Sequence, residues 1–259
     1  MATYIDVEEA KQRTGLRLVV APGIPGPWGE AIKGICYVKQ IPFTLVRFDI
    51  GAENKALAEW SAQASVPVMI WNGEFPKSTW NQQLALAERL APAPSLIPAE
   101  ITDRMLLFGF AHELCGENGF GWCRRLMIVH QTLSTPGIPA ENRAFAQYFG
   151  AKYGYSPDAG QAATTRVIAI LQALGTQLER QHANGSRYLI GRTLSALDIY
   201  WAAFATLITP LPEDMCPMGP INRAMYTNTE ASVQAAVPPR LMEHRDFIYQ
   251  HHLQLPIDL

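Results

Sequence analysis

The sequence predicts an α/β unit at the N-terminal end followed by an all-helical C-terminal domain. Three observations carry that expectation. Between Leu16 and Leu90, short apolar runs rich in β-branched residues alternate with segments of helical period. One of those runs, Val66-Pro67-Val68-Met69-Ile70-Trp71, has a proline near its start and Asn72-Gly73 at its end. Beyond Ala91-Pro92-Ala93-Pro94-Ser95, the best linker in the chain, every periodic segment reads as helix.

The bulk properties narrow the function classes. The chain has 259 residues, 48% apolar and 17% charged, enough for a sizeable core. A net charge of −2 and no dense Lys/Arg run argue against nucleic acid or an anionic membrane as the main partner. No apolar stretch is long enough to span a bilayer. The first nine residues carry acids where a signal peptide needs bases, so a cytoplasmic location is expected. Four cysteines without a Cys-x-x-Cys pair disfavour a disulfide scaffold, a dithiol redox site or a zinc knuckle, and no metal is expected.

Residues 1–15 read as a polar extension packing on the domain, with a short helix over Asp6–Gln12. Leu16–Val20 is the first strand. Pro22-Gly23-Ile24-Pro25-Gly26-Pro27 forbids regular structure. Pro27 suits the first helical position, where a missing N–H costs nothing. Trp28, Ala31, Ile32, Ile35 and Val38 then recur at the spacing of one buried helix face. Phe43–Phe48 is the second strand, and a helical piece is expected around Lys55–Ser61. Val66-Pro67 suits an edge or a cis X-Pro turn. Asn72-Gly73 predicts a hairpin turn with Glu74-Phe75 as a short return strand. Ser78 is the expected N-cap of a helix with Trp80, Leu84, Ala87 and Leu90 on one face. The resulting order, β-α-β-α-β-β-α over residues 16–91, looks like a thioredoxin-type unit.

In residues 96–259 helices are expected over Ile101–Glu117, Phe120–Leu133, Asn142–Tyr153 and Gln161–Gln181. Ser195-Ala196-Leu197-Asp198 reads as a capping-box variant, with Leu194 and Ile199 at the staple positions. The helix it opens, Ala196–Ile208, is apolar nearly all round and so belongs at the centre. Residues 209–237 are interrupted by prolines and are expected on the surface. Pro238-Pro239 opens a last helix to about His252. His244, His251 and His252 lack metal spacing, so a surface role is preferred for them.

The proline-bearing strand with its Asn-Gly turn and Ser-opened helix, together with Tyr188-Leu189-Ile190-Gly191-Arg192-Thr193-Leu194-Ser195-Ala196-Leu197-Asp198-Ile199-Tyr200, resembles the glutathione S-transferase superfamily across residues 16–255. The resemblance implies glutathione as co-substrate, an electrophilic apolar second substrate and a homodimer. It implies that the Val66 backbone pairs with the cysteinyl part of glutathione beside Pro67. It implies that Ser78 receives the γ-glutamyl end, with Lys77 where the family has an acid. Gln63 is a candidate near the glycyl end. Phe108, His112 and Cys115 are the candidates for the second-substrate pocket.

The family activates the glutathione thiol with a Tyr, Ser or Cys after the first strand. Thiolate is the nucleophile, and a hydroxyl donor or a helix N-terminus stabilises it. Here the turn from Pro22 to Trp28 has neither hydroxyl nor thiol, and Ile24, Pro25 or Gly26 falls at the expected position. Three readings stay open. Backbone N–H groups around Trp28 and Gly29, with the Trp28 indole, stabilise the thiolate. A distant donor such as Tyr4, Tyr37 or His112 supplies the bond. Or glutathione binds without transfer. Cys36 is read as core, and no mixed disulfide with glutathione is expected at the turn. The leading reading is a glutathione transferase, the alternative a non-catalytic glutathione-binding or regulatory protein. Disulfide exchange is disfavoured.

Overall fold

A computed structural model describes residues 3–259. Four strands form one sheet in the order β1-β3-β2-β4. β2 (Leu16–Val20) and β3 (Phe43–Arg47) run parallel, with Leu16 opposite Phe43, and β4 (Val68–Trp71) pairs antiparallel to β2. β2 is buried along its whole length, Arg17 included, in keeping with its otherwise apolar run. Residues 4–11 supply β1 (Tyr4–Ile5), which adds a parallel edge strand on β3, and α1 (Val7–Lys11), capped by the Asp6 carboxylate.

α2 (Pro27–Val38) packs one sheet face against the helical domain and α3 (Lys55–Ser61) lies on the other. α4 (Trp80–Leu90) starts one residue later than expected, because Thr79 rather than Ser78 is its N-cap. The expected return strand at Glu74-Phe75 does not form. Phe75 is 88% exposed, and the return is a single bridge between Met69 and Lys77. Asn72 does make the turn, in the left-handed region at φ 46°.

The rest is helical: α5 (Ile101–Cys115), α6 (Phe120–Ser134), α7 (Ala140–Lys152), α8 (Pro157–Ala183), α9 (Ala196–Phe204) running into a 3-10 turn, α10 (Pro220–Tyr226), α11 (Ala231–Ala236) and α12 (Pro239–His252). The chain is thus a thioredoxin-like α/β domain followed by an all-helical domain. Segment 209–237 is not a surface excursion. It contains α10 and α11 and buries Leu211, Cys216, Met218, Tyr226 and Val233. Prolines open or separate its short helices without keeping its apolar residues out of the core.

α9 is buried at every position. Its first turn is organised by Asp198, which is 0% exposed. One carboxylate oxygen accepts from Ser195 N at 2.8 Å and Ser195 Oγ at 2.7 Å. The other accepts from Leu189 N at 2.8 Å and lies 2.9 Å from His244 Nε2. His244 is therefore a buried partner of the cap and not a surface residue, which a reading of metal spacing has no way to detect. The linker is tied down as well. Buried Lys39 donates to Glu88 and to the Pro94 carbonyl, both at 2.7 Å, and Glu88 in turn accepts from Leu96 N. Leu96 O then accepts from Ala196 N, at the start of α9.

Replacing Asp198 with Ala strands three donors and His244 in the core. It is expected to lower unfolding free energy by roughly 3–5 kcal/mol. Urea denaturation measures this, and a loss below about 1 kcal/mol would show the hub to be dispensable.

Candidate functional site

β2 delivers the chain to the first turn, and the register of β4 on β2 decides what faces it. Val19 lies opposite Val68. Continued past that pair, the antiparallel register directs Pro67 and Val66 toward Val20 and Ala21, where the turn begins. The Val66–Pro67 peptide is cis, and among the described residues the Val66 backbone N–H and C=O have no hydrogen-bond partner. Val66 is half-buried, so these groups are available to an extended ligand. Gln83, 2% exposed, donates its amide to Pro67 O at 3.0 Å and Lys77 O at 3.1 Å. It thereby joins the proline turn to the start of α4. Sequence reasoning missed Gln83; its only signal is a polar residue one turn past Trp80, beside the apolar face.

Ser78 and Lys77 are half-buried and sit just ahead of the α4 N-terminus. Ser78 is one residue outside the cap, ahead of a helix N-terminus whose free N–H groups suit an anion. Gln63 is half-buried after the left-handed Ala62, and its N–H donates to Ser61 Oγ at 3.2 Å.

The turn itself has no side chain to offer. Gly26 is the N-cap of α2 and contributes no capping bond. Pro27 has no N–H, so the first-turn amides of Trp28 and Gly29 are the open donors of this helix. The Trp28 indole is not a donor to a ligand: its Nε1 is spent on Cys115 O at 2.8 Å, and its ring meets Phe204 edge-on at 4.9 Å. Behind the turn, Pro25 and Glu30 line a cavity of only about 10 Å³ with Thr206, Cys216 and Tyr249. Burial raises the Glu30 carboxyl above its ordinary range, and Lys33 at 3.0 Å opposes that shift. An open groove of about 430 Å³ at the β1–β3 edge touches none of the expected ligand residues.

The distant donors fare unequally. Tyr4 stands on β1, three strand spacings or about 14 Å from the strand that follows Pro67. Desolvation and then Glu30 push its hydroxyl up to about 12. Tyr37 is half-exposed near the far end of α2, about 15 Å from the helix start. His112 lies one turn before Cys115, whose carbonyl holds Trp28, and its ring curls over Gly116. Its side chain is exposed on α5. Cys115 is there too, buried. Phe108 lies one turn before His112 on the same face of α5, against Trp80 at 6.0 Å and Arg104 at 5.3 Å.

All four cysteines are buried and free. Burial pushes Cys36 up to about 12, Cys123 and Cys216 up to about 11, and Cys115 well above the usual thiol range. None is a thiolate near neutrality, so cysteine chemistry has no candidate here.

No protein-family model matches the chain, and neither does any curated protein. Solved structures do match. The Tau class glutathione S-transferase from mango, Mangifera indica, gives a TM-score of 0.54 at 17% identity over 91% of this chain and 98% of that one. The yeast prion protein Ure2p in complex with glutathione gives 0.63 at 10% identity, over 95% of each chain. The β-etherase LigF from Sphingobium sp. strain SYK-6 gives 0.57 at 15% identity, over 90% of this chain and all of that one. The chain has the glutathione S-transferase fold. The seam is closely filled at the turn. A Cβ on Gly121 of α6 would lie 2.4 Å from the Phe204 ring and 2.9 Å from Trp28.

Two outcomes are expected. In the folded protein, an aromatic disulfide reagent at pH 8 is expected to label no cysteine rapidly, and all four after denaturation; fast labelling of any one would contradict the burial. Gly121→Ala is expected to cost roughly 1–3 kcal/mol through overpacking at the seam, read from the thermal midpoint.

Proposed function

We propose that this protein is a glutathione transferase: it binds glutathione along the Val66–Pro67 turn and directs the thiolate at an electrophilic apolar small molecule. The observation that carries the reading is the unpaired Val66 backbone held beside the open N-terminus of α2. An extended peptide can pair with Val66 as an added strand does, through main-chain hydrogen bonds. The γ-glutamyl carboxylate then meets Ser78 and the first N–H groups of α4, with Lys77 adding positive charge. Gln63 attends the glycyl end. The sulfur falls near the Trp28 and Gly29 amides, where the helix dipole favours the thiolate. His112 is the side chain best situated to assist from the helical domain, with Cys115 beside it in the second-substrate region. A homodimer and a cytoplasmic setting belong to the same reading, and the resemblance supports them. Among the described residues, no helix is long and apolar enough to cross a membrane.

One observation favours a second reading, binding without turnover. The turn has no hydroxyl, and the dipole alone contributes about 0.3–1 kcal/mol, under one pKa unit. Similarity to the nitrogen regulation fragment of Ure2p is consistent with that reading.

Retention on immobilised glutathione, followed by conjugation to an aryl halide, separates the two. Absence of retention removes both readings; retention with no turnover selects the second. Gly26→Ser provides a sharper measurement. A Cβ at Gly26 has no atom within 4 Å, and its backbone is extended at φ −60° and ψ 117°, so Ser fits the N-cap. Its hydroxyl is expected to raise the conjugation rate near neutral pH by about tenfold, the worth of one hydrogen bond to a charged sulfur. An unchanged rate would place the thiol elsewhere.

A further inference from the structure

The helical domain holds a positive cluster that nothing in the seam explains. Arg124 and Arg125 are neighbours on α6, at 3% and 6% exposure. Among the described residues neither forms an ion pair with a carboxylate. Arg124 is satisfied by neutral groups: its Nε donates to Leu207 O at 2.9 Å, and one Nη lies 3.5 Å from Met127 Sδ. Arg125 is not fully satisfied. Its Nη2 donates to the Tyr226 hydroxyl at 3.0 Å, but its Nε is buried with no hydrogen-bond partner. The Tyr226 and Phe149 rings flank the guanidinium at 4.9 and 5.8 Å. Lys152, the last residue of α7, adds a third cation, with Nζ 5.5 Å from the Tyr153 ring centre.

A buried cation normally meets an anion, because desolvation is costly and aromatic faces repay only part of it. A buried N–H without an acceptor is rarer still. Met or Leu at position 125 would fill the space without either cost. Burial, and then Arg125, hold the Arg124 guanidinium down to about 10, and the same two causes lower Lys152. No carboxylate lies between the cations; burial lowers the Arg125 guanidinium, and the Tyr226 and Tyr153 hydroxyls outweigh it, holding it above its ordinary range.

We propose that Arg125, with Lys152 and the Tyr226 hydroxyl, forms a binding site for a carboxylate- or phosphate-type oxyanion between α6, α7 and α10. The planar guanidinium presents its donors in a fork that matches two oxyanion oxygens, and a phenol can accept from Arg125 while donating to the ligand. Lys152 supplies a mobile point charge at the outer side. Phe145, 42% exposed and stacked on Phe149 at 5.8 Å, extends an aromatic face from the surface toward Arg125. That face favours an oxyanion carried on an aromatic ring. Arg125 stands one turn beyond Gly121, so the site borders the seam without using any residue assigned to glutathione, and it holds whether or not glutathione binds.

The test is isothermal titration of the full-length protein, in chloride-free buffer, with benzoate and separately with inorganic phosphate, alongside thermal midpoints in each anion. Wild type is expected to bind at least one of them and to melt higher in its presence. Arg125→Met is expected to bind about tenfold more weakly or not at all, while folding as well as wild type without anion. Lys152→Met, on the exposed end of α7, gives the same readout with a smaller loss should the first variant fail to fold. Binding of phosphate alone assigns a tetrahedral oxyanion, and tighter benzoate assigns an aromatic carboxylate. No heat and no midpoint shift with either anion at millimolar concentrations would overturn the proposal. So would equal binding by wild type and both variants.

Discussion

The buried carboxylate of Asp198 is the constraint on which the rest of the molecule depends. α9 is apolar on all sides and carries no surface of its own, so its N-terminus must find hydrogen-bond partners inside the protein. Asp198 provides them at once for Ser195, for the Leu189 turn and for His244 on α12. Three separate stretches of chain are thereby fixed around one oxygen pair. The Leu96 carbonyl adds the interdomain strand of this arrangement by accepting from Ala196 N. An unpaired carboxylate at 0% exposure would cost several kcal/mol, so the network is kept whole or lost together.

With α9 fixed, the position of α2 is determined too. Gly34 allows the two helices to approach: a Cβ there would lie 3.1 Å from Ile199 and 3.0 Å from Leu253. Trp28, at the head of α2, then falls between the Cys115 carbonyl and Phe204. The same packing that orients the first turn uses up its one polar side chain. The turn is left with backbone amides only. Chemistry at this point depends on how α2 is aimed, since no functional group is present to compensate for a misaimed helix.

Much of the fold was legible in the sequence, and the reasons are local. Periodicity found the longer elements and missed β1, α10 and α11. Lys55–Ser61 and the start of α2 at Pro27 fall where expected, since a proline at the first helical turn and an apolar stripe are self-contained signals. The capping box was readable because its residues lie three apart. The return strand at Glu74-Phe75 was misread because Asn72-Gly73 makes its turn whether or not a strand pairs beyond it. The surface assignment of 209–237 failed because prolines report backbone breaks and say nothing of burial.

The sequence alone determined the α/β-then-helical order, the absence of a hydroxyl or thiol in the first turn, and the proline turn beside it. Each is set by residues adjacent in the chain. The tertiary structure decided which groups remain free. It spent the Trp28 indole, placed Tyr4 and Tyr37 away from the turn and left the Val66 backbone open. It also paired His244 with Asp198 and buried Arg125 without an anion. Hydrogen-bond satisfaction inside a core depends on partners tens of residues away, and no local pattern encodes which of them arrives.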